Sequence, residues 1–143
     1  MENLMKQTAH VMVTSVACLG KKSNVLIVCG LHNKVFAEHI MLESYVVRAY
    51  PYLWVFDENF FLKHSNMISE DVMAILPEHA RSLLEKSDVV IWLSQFKDFE
   101  KFPANFERAI SSFWDAVYEV VKAKPLLLVN LPSVKYVESI GID

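Results

Sequence analysis

The sequence predicts an α/β protein, built on a parallel Rossmann-like sheet of about four or five strands with helices on both faces. Three observations predict it. Four short apolar runs, Asn24–Cys29, Pro51–Asp57, Ser87–Leu93 and Pro125–Leu131, recur along the chain. Helical stretches separate them, and crossovers of about a dozen residues join parallel neighbours rather than hairpins. The first run, Val25-Leu26-Ile27-Val28-Cys29, is apolar without alternation, as expected of a strand covered on both faces.

Each element follows from local signals. Residues Glu2 to about Val16 place Leu4, Met5, Ala9, Met12, Val13 and Val16 on one helical face. Gly20 is positioned as a C-cap, and Lys21-Lys22-Ser23 makes a polar turn into the first strand. After Gly30-Leu31-His32, Asn33 is placed to cap a helix running to about Arg48. Pro51 cannot continue that helix, so Tyr52-Leu53-Trp54-Val55-Phe56 forms the second strand, ending in Asp57-Glu58-Asn59. Phe60–Leu76 carries a weaker pattern, in which Ser69-Glu70-Asp71 starts a short helix reaching about Leu76. Pro77 opens the helix Pro77–Lys86. Ser87–Leu93 is the third strand, and a polar, aromatic loop from Ser94 to Pro103 leads to the amphipathic helix Ala104–Lys122. Pro125 ends that helix and opens the fourth strand.

Composition bounds what such a domain does. A chain of 143 residues is expected to form one α/β domain over 1–143, burying roughly two-thirds of its unfolded surface. Although 53% of residues are hydrophobic, no apolar run approaches the roughly 18 residues of a membrane span. The start Met1-Glu2-Asn3-Leu4-Met5-Lys6-Gln7 lacks the basic and apolar pattern of a secretory signal, so a cytoplasmic protein with no membrane partner is expected. The net charge is −3 and the 14 basic residues are scattered, which argues against nucleic acid as a partner. Cys18 and Cys29 are too few for a disulfide framework and read as buried reduced thiols rather than metal ligands.

The chain holds only three glycines, and Gly30 stands alone after the first strand. Neither a GxGxxG nor a P-loop pattern is present, so the usual phosphate cradle is not expected. His39 and Glu43 share a helical face, but no third ligand accompanies them, and a surface pair is the expected role. No nucleophile elbow and no compact zinc-ligand motif occur. The sequence therefore nominates no catalytic residue, no metal ligand and no cofactor-binding residue. Ligands of open parallel sheets bind beyond the carboxyl ends of the strands, which nominates His32, Asn33, Asp57 and Ser94 as residues of a possible ligand cleft. The neighbouring Gln95 and Asn130 also follow strands. Phe96, Phe99, Phe102, Phe106, Phe113 and Trp114 lack a basic face beside them and are expected in the core or in a buried interface.

The order of these signals resembles the N-terminal domain of the thermophilic metalloaminopeptidases, of aminopeptidase T/S and archaeal leucyl aminopeptidase type. The family's turn into a first strand is matched by Leu19-Gly20-Lys21-Lys22-Ser23-Asn24-Val25-Leu26-Ile27-Val28. Its second strand is matched by Arg48-Ala49-Tyr50-Pro51-Tyr52-Leu53-Trp54-Val55. Asn59-Phe60-Phe61, Ser69-Glu70-Asp71, Leu76-Pro77 and Leu84-Glu85-Lys86-Ser87-Asp88-Val89-Val90-Ile91 follow in the family's order. So does the tail Leu131-Pro132-Ser133 to Gly141-Ile142-Asp143. The segment Lys97–Lys124 departs from the family, carrying aromatics and acids where the family is more basic.

The resemblance implies the non-catalytic N-terminal part of a larger metalloaminopeptidase-like protein. In that family a divalent metal centre, zinc or cobalt, belongs to a C-terminal domain and hydrolyses N-terminal amino acids from peptides. The isolated chain is then expected to be inactive and to pack on a catalytic domain or a second copy. The alternative is a small-ligand-binding or oligomerisation α/β domain without catalytic activity.

Overall fold

The computed structural model describes residues 2–129. The chain runs α1 (Glu2–Val11), β1 (Asn24–Gly30), α2 (Lys34–Val46), β2 (Tyr50–Phe56), α3 (Glu58–His64), α4 (Glu70–Met73), α5 (Glu78–Lys86), β3 (Val89–Leu93), α6 (Ala104–Val121) and β4 (Leu126–Val129). The four strands form one sheet in the order β2-β1-β3-β4, and every neighbouring pair is parallel.

The central strand shows why the sheet needs two layers of helix. Alternate residues of a strand face opposite sides, and Val25 to Cys29 are all buried. Val25, Ile27 and Cys29, joined by Val89, Ile91 and Leu93 of β3, pack against Ala9, Phe36, Ala37 and Ile40 of α1 and α2. Leu26, Val28 and Val90 face the other way, onto Leu84 of α5 and Phe106, Ile110, Phe113 and Val117 of α6. Each buried Val, Leu, Ile or Phe among them contributes about 2 kcal/mol by leaving water, so docking on the sheet holds the helices more than their own propensity does. Burial also pushes the Cys29 thiol up to about 11, with Lys34 pulling down and Glu38 up. It is a neutral core thiol as expected, whereas Cys18, in the turn that follows the first helix, is free and exposed rather than buried.

Several boundaries differ from expectation for identifiable reasons. The first helix widens into a π turn over Met12–Val16, where the Thr14 hydroxyl donates back to the His10 carbonyl at 2.7 Å. Cys18, not Gly20, takes the left-handed conformation after it, at φ 49°. Gly20 instead belongs to the turn closed by Ser23, whose hydroxyl accepts from the Gly20 N–H at 3.2 Å. The segment after Asp57 is helical rather than loop: Asp57 accepts the Phe60 N–H at 3.2 Å and caps α3. Helix α4 spans only Glu70–Met73, short of Leu76. The fourth strand is seen over Leu126–Val129, and the expected Asn130, Leu131 and tail lie outside the described residues. Among the described residues no helix is long and apolar enough to cross a membrane.

The aromatic segment is core. Phe96, Phe102, Phe106 and Phe113 are buried and packed with Leu26, Val28 and Phe56. Phe102 and Phe106 stack at 4.5 Å between ring centroids. Phe96 meets Phe102 edge-on at 5.2 Å.

Candidate functional site

The strand order sets where a ligand would be sought. From β1 the chain crosses through α2 to β2 on one side, and from β3 it crosses through α6 to β4 on the other. The loops leaving β1 and β3 therefore diverge to opposite faces, and a crevice is expected between them.

In this protein the base of that crevice is closed by its own backbone. The Gly30 N–H points to the Asn33 Oδ1 at 2.9 Å and to the Ser94 carbonyl at 3.2 Å. Asn33 Nδ2 donates to the same Ser94 carbonyl at 2.9 Å. A short 3₁₀ turn over Leu31–Asn33 turns the Asn33 side chain back toward Gly30. Asn33 therefore does not cap α2, which has no side-chain cap. Asn33 is buried at 5% exposure, and both its amide oxygen and its amide nitrogen have a partner inside the protein. A Cβ on Gly30 would lie 2.2 Å from the Gln95 carbonyl oxygen and 2.8 Å from His32 Nδ1. Glycine is the residue that lets the β3–α6 loop lie directly against the end of β1.

The four nominated cleft residues are thus divided among different tasks. Asn33 meets Ser94, whose hydroxyl donates to the Phe96 carbonyl at 3.0 Å. Asp57 is spent on the α3 cap. His32 faces a polar cavity of about 320 Å³ with Glu58, Asn59, Lys97 and Asp98. Glu58 ties that rim together, its carboxylate accepting the Asp98 N–H at 2.8 Å and the Lys97 N–H at 3.3 Å. Burial holds the His32 imidazole below the usual histidine pKa; Glu58 and Asp98 pull it up and Lys97 pulls it down.

The unfolded chain takes up its proton near pH 6.5, before the folded protein does, so His32 favours the fold fully above that pH. The contribution falls as pH drops through 6.5 toward the folded-state value. Urea midpoints measured on either side of pH 6.5 are expected to decline more steeply on acidification for the wild type than for His32→Gln. Parallel declines would show that His32 is not responsible.

A second cavity, of about 450 Å³, lies between α6 and the β3–β4 side of the sheet, with Trp92, Gln95, Phe99, Trp114, Tyr118 and Leu126 among its lining. Gln95 is 2% exposed and its Oε1 accepts the Trp114 indole N–H. Sequence reasoning noticed Gln95 only as the neighbour of Ser94; its burial depends on a tryptophan 19 positions away, which no local pattern reveals. Glu58 is visible in the sequence as an acid at the end of the second strand, but its partners lie about 40 residues on.

The His39–Glu43 pair on α2 is also rearranged. Glu43 bonds His10 of α1 at 2.9 Å, and His39 Nε2 is buried without a partner among the described residues. No three His, Cys, Asp or Glu side chains are grouped to hold a metal among the described residues.

Fold and site together define an open, all-parallel α/β domain whose switch-point crevice is closed at its base by its own loop. No protein-family model matches the sequence, and no curated protein is similar to it. Among solved structures, wild-type AmpT from Thermus thermophilus superposes with a TM-score of 0.69 at 13% identity. The match covers 92% of this chain and 36% of that one. The likeness establishes a shared fold, and this chain spans about a third of the length of that structure.

Proposed function

We propose that this chain is a non-catalytic α/β domain of an aminopeptidase-related protein, acting beside a catalytic domain that carries the metal. The observation that supports it is the superposition on AmpT, an aminopeptidase, across 92% of this chain. It agrees with the shared order of sequence signals. The state of the sheet's carboxyl end fits the same reading: Asn33, Asp57 and Glu58 bond the protein's own backbone, so they brace loops and are not presented to a substrate.

In this reading the partner is a C-terminal catalytic domain or a second copy of the chain. A divalent metal such as zinc or cobalt, held by that other domain, would supply Lewis-acid activation of a peptide carbonyl and of water. This chain would supply a rigid, three-layered body against which the catalytic domain packs.

The test is the intact mass of the protein purified from its native source, followed by leucine p-nitroanilide hydrolysis with added zinc or cobalt. A species extending past Asp143 that hydrolyses the substrate, while the 143-residue chain alone does not, is the expected result. A native species ending at Asp143 with no accompanying peptidase activity overturns the reading, as does hydrolysis by the 143-residue chain unaided.

A further inference from the structure

We infer that the apolar groove between α6 and β4 is covered by this chain's own continuation, residues 131–143, which leave β4 and lay their apolar side chains on Trp114, Tyr118, Leu126 and Leu128.

Among the described residues, β4 is covered on one face only. Its residues Leu126-Leu127-Leu128-Val129 are an unbroken apolar run like that of β1, the pattern of a strand with protein on both sides. Leu127 and Val129 pack with the cluster under α1 and α2. On the opposite face Leu126 reaches the α6 cluster, but Leu128 is 67% exposed. One row of the sheet shows where the cover stops. Val28 pairs with Trp92, and Trp92 pairs with Leu128. Val28 is fully buried, Trp92 is half-buried and Leu128 is open. The flank of α6 beside this row is bare too, since Tyr118 is exposed although Val117 and Val121 are buried. Between the two lies a groove of about 450 Å³. A contiguous exposed apolar surface of this kind marks a contact site.

The path of the chain selects the occupant. The step from β1 to β2 runs in one direction along the sheet, and its helix α2 lies on the face shared with α1. The steps taken toward β4, from β2 to β3 and from β3 to β4, carry α5 and α6 on the other face. Both follow the right-handed rule for parallel crossovers, which holds in about 98% of cases. β4 is the edge strand on this side among the described residues. A chain that leaves it to add a neighbour beyond that edge takes one more step in the same direction. The rule then carries it over the α6 face, across the groove. Successive strands are neighbours about two-thirds of the time, which favours this route over a return past β2 on the α2 face.

Length and composition fit the groove. It runs beside a four-residue strand, about 13 Å long. Residues 131–143 reach about 20 Å even at the helical rise of about 1.5 Å per residue, and further when extended. They carry Leu131, Val134, Tyr136, Val137, Ile140 and Ile142, with Lys135, Glu138 and Asp143 as the only charged side chains. The groove needs this cover whether or not a catalytic domain follows.

The test uses the full 143-residue chain. In nuclear Overhauser spectra, the rings of Trp114 and Tyr118 are expected to contact methyl groups of Val134, Val137 or Ile140. A mixture of labelled and unlabelled chains separates contacts within one chain from contacts between copies. A second readout is thiol labelling of Leu128→Cys in a Cys18→Ser background, where the buried Cys29 stays silent. Leu42 and Leu128 are 60% and 67% exposed among the described residues, so without a cover Leu42→Cys and Leu128→Cys label alike. Labelling of Leu128→Cys is expected to be at least about tenfold slower. Adding Val137→Asp and Ile140→Asp is expected to bring the two rates within about twofold of each other. Should the thiol variants lose their near-ultraviolet circular dichroism, the wild-type spectra decide alone. No contact from the two rings to residues 131–143, contacts only between copies, contacts of residues 131–143 with α2 instead, or equal labelling of Leu128→Cys and Leu42→Cys overturns the inference.

Discussion

Replacing Gly30 with alanine is expected to destabilise the fold by about 3 kcal/mol or more, lowering the melting temperature by roughly 10 °C. The new methyl carbon would sit 2.2 Å from the Gln95 carbonyl oxygen and 2.9 Å from its carbon, distances that no rotamer change relieves because both atoms are backbone. The backbone cannot retreat cheaply. The preceding carbonyl, of Ser94, receives bonds from Gly30 and Asn33, and the Gln95 side chain is tied to Trp114 of α6. Gly30 has φ −98°, a conformation open to any residue, so the whole cost comes from contact and none from backbone strain. Gly20 supplies the control. A Cβ there meets Ser23 Oγ at 3.5 Å, an ordinary contact, and Gly20→Ala is expected to change stability by less than about 1 kcal/mol. Urea midpoints at unchanged slope provide the measurement. A Gly30→Ala protein as stable as Gly20→Ala would mean that the β3–α6 loop does not press on the end of β1 as described.

The same junction marks where sequence patterns stop carrying structural information. β1 and β3 were legible because a strand covered on both faces needs an unbroken apolar run, and Val25–Cys29 and Val89–Leu93 are such runs. The amphipathic stripe of α6 was legible because Phe106, Ile110, Phe113 and Val117 recur at helical spacing. α3 was not, since Asp57 after a strand reads equally as a turn residue and as an N-cap. Its capping role is decided by the chain that follows, which presents the Phe60 N–H to it. Asn33 shows the same ambiguity in the opposite direction. Its position favours a cap on α2, but a partner 61 residues away, the Ser94 carbonyl, competes for the side chain and wins. The rule that ligands gather at strand ends points to this region. It could not tell residues offered to a ligand from residues consumed in closing the region.

Asn33 allows those two roles to be separated by the sign of an energy. A residue kept for binding tends to cost the unliganded fold some stability, so its removal is neutral or stabilising; a brace behaves oppositely. Asn33→Leu is expected to lose about 2 kcal/mol, the net worth of two buried hydrogen bonds. The loss stops there because the Gly30 N–H retains the Ser94 carbonyl at 3.2 Å, leaving that donor and acceptor paired with each other. Asn33→Asp is expected to be worse at neutral pH, by about 3 kcal/mol. Its carboxylate still accepts from Gly30 but sets a second oxygen against the Ser94 carbonyl. Protonation turns that oxygen into a donor, so in this variant the folded state favours the acid form and raises its pKa above the unfolded value near 3.9. The resulting stabilisation is complete below the unfolded value and is lost as pH rises through the folded one. Measured against wild type at the same pH, the aspartate variant should therefore recover part of its deficit on acidification from about pH 7 to about pH 4, while the leucine variant's deficit stays constant. Stabilisation by either substitution would sink the bracing role of Asn33, and with it one of the supports for a non-catalytic domain.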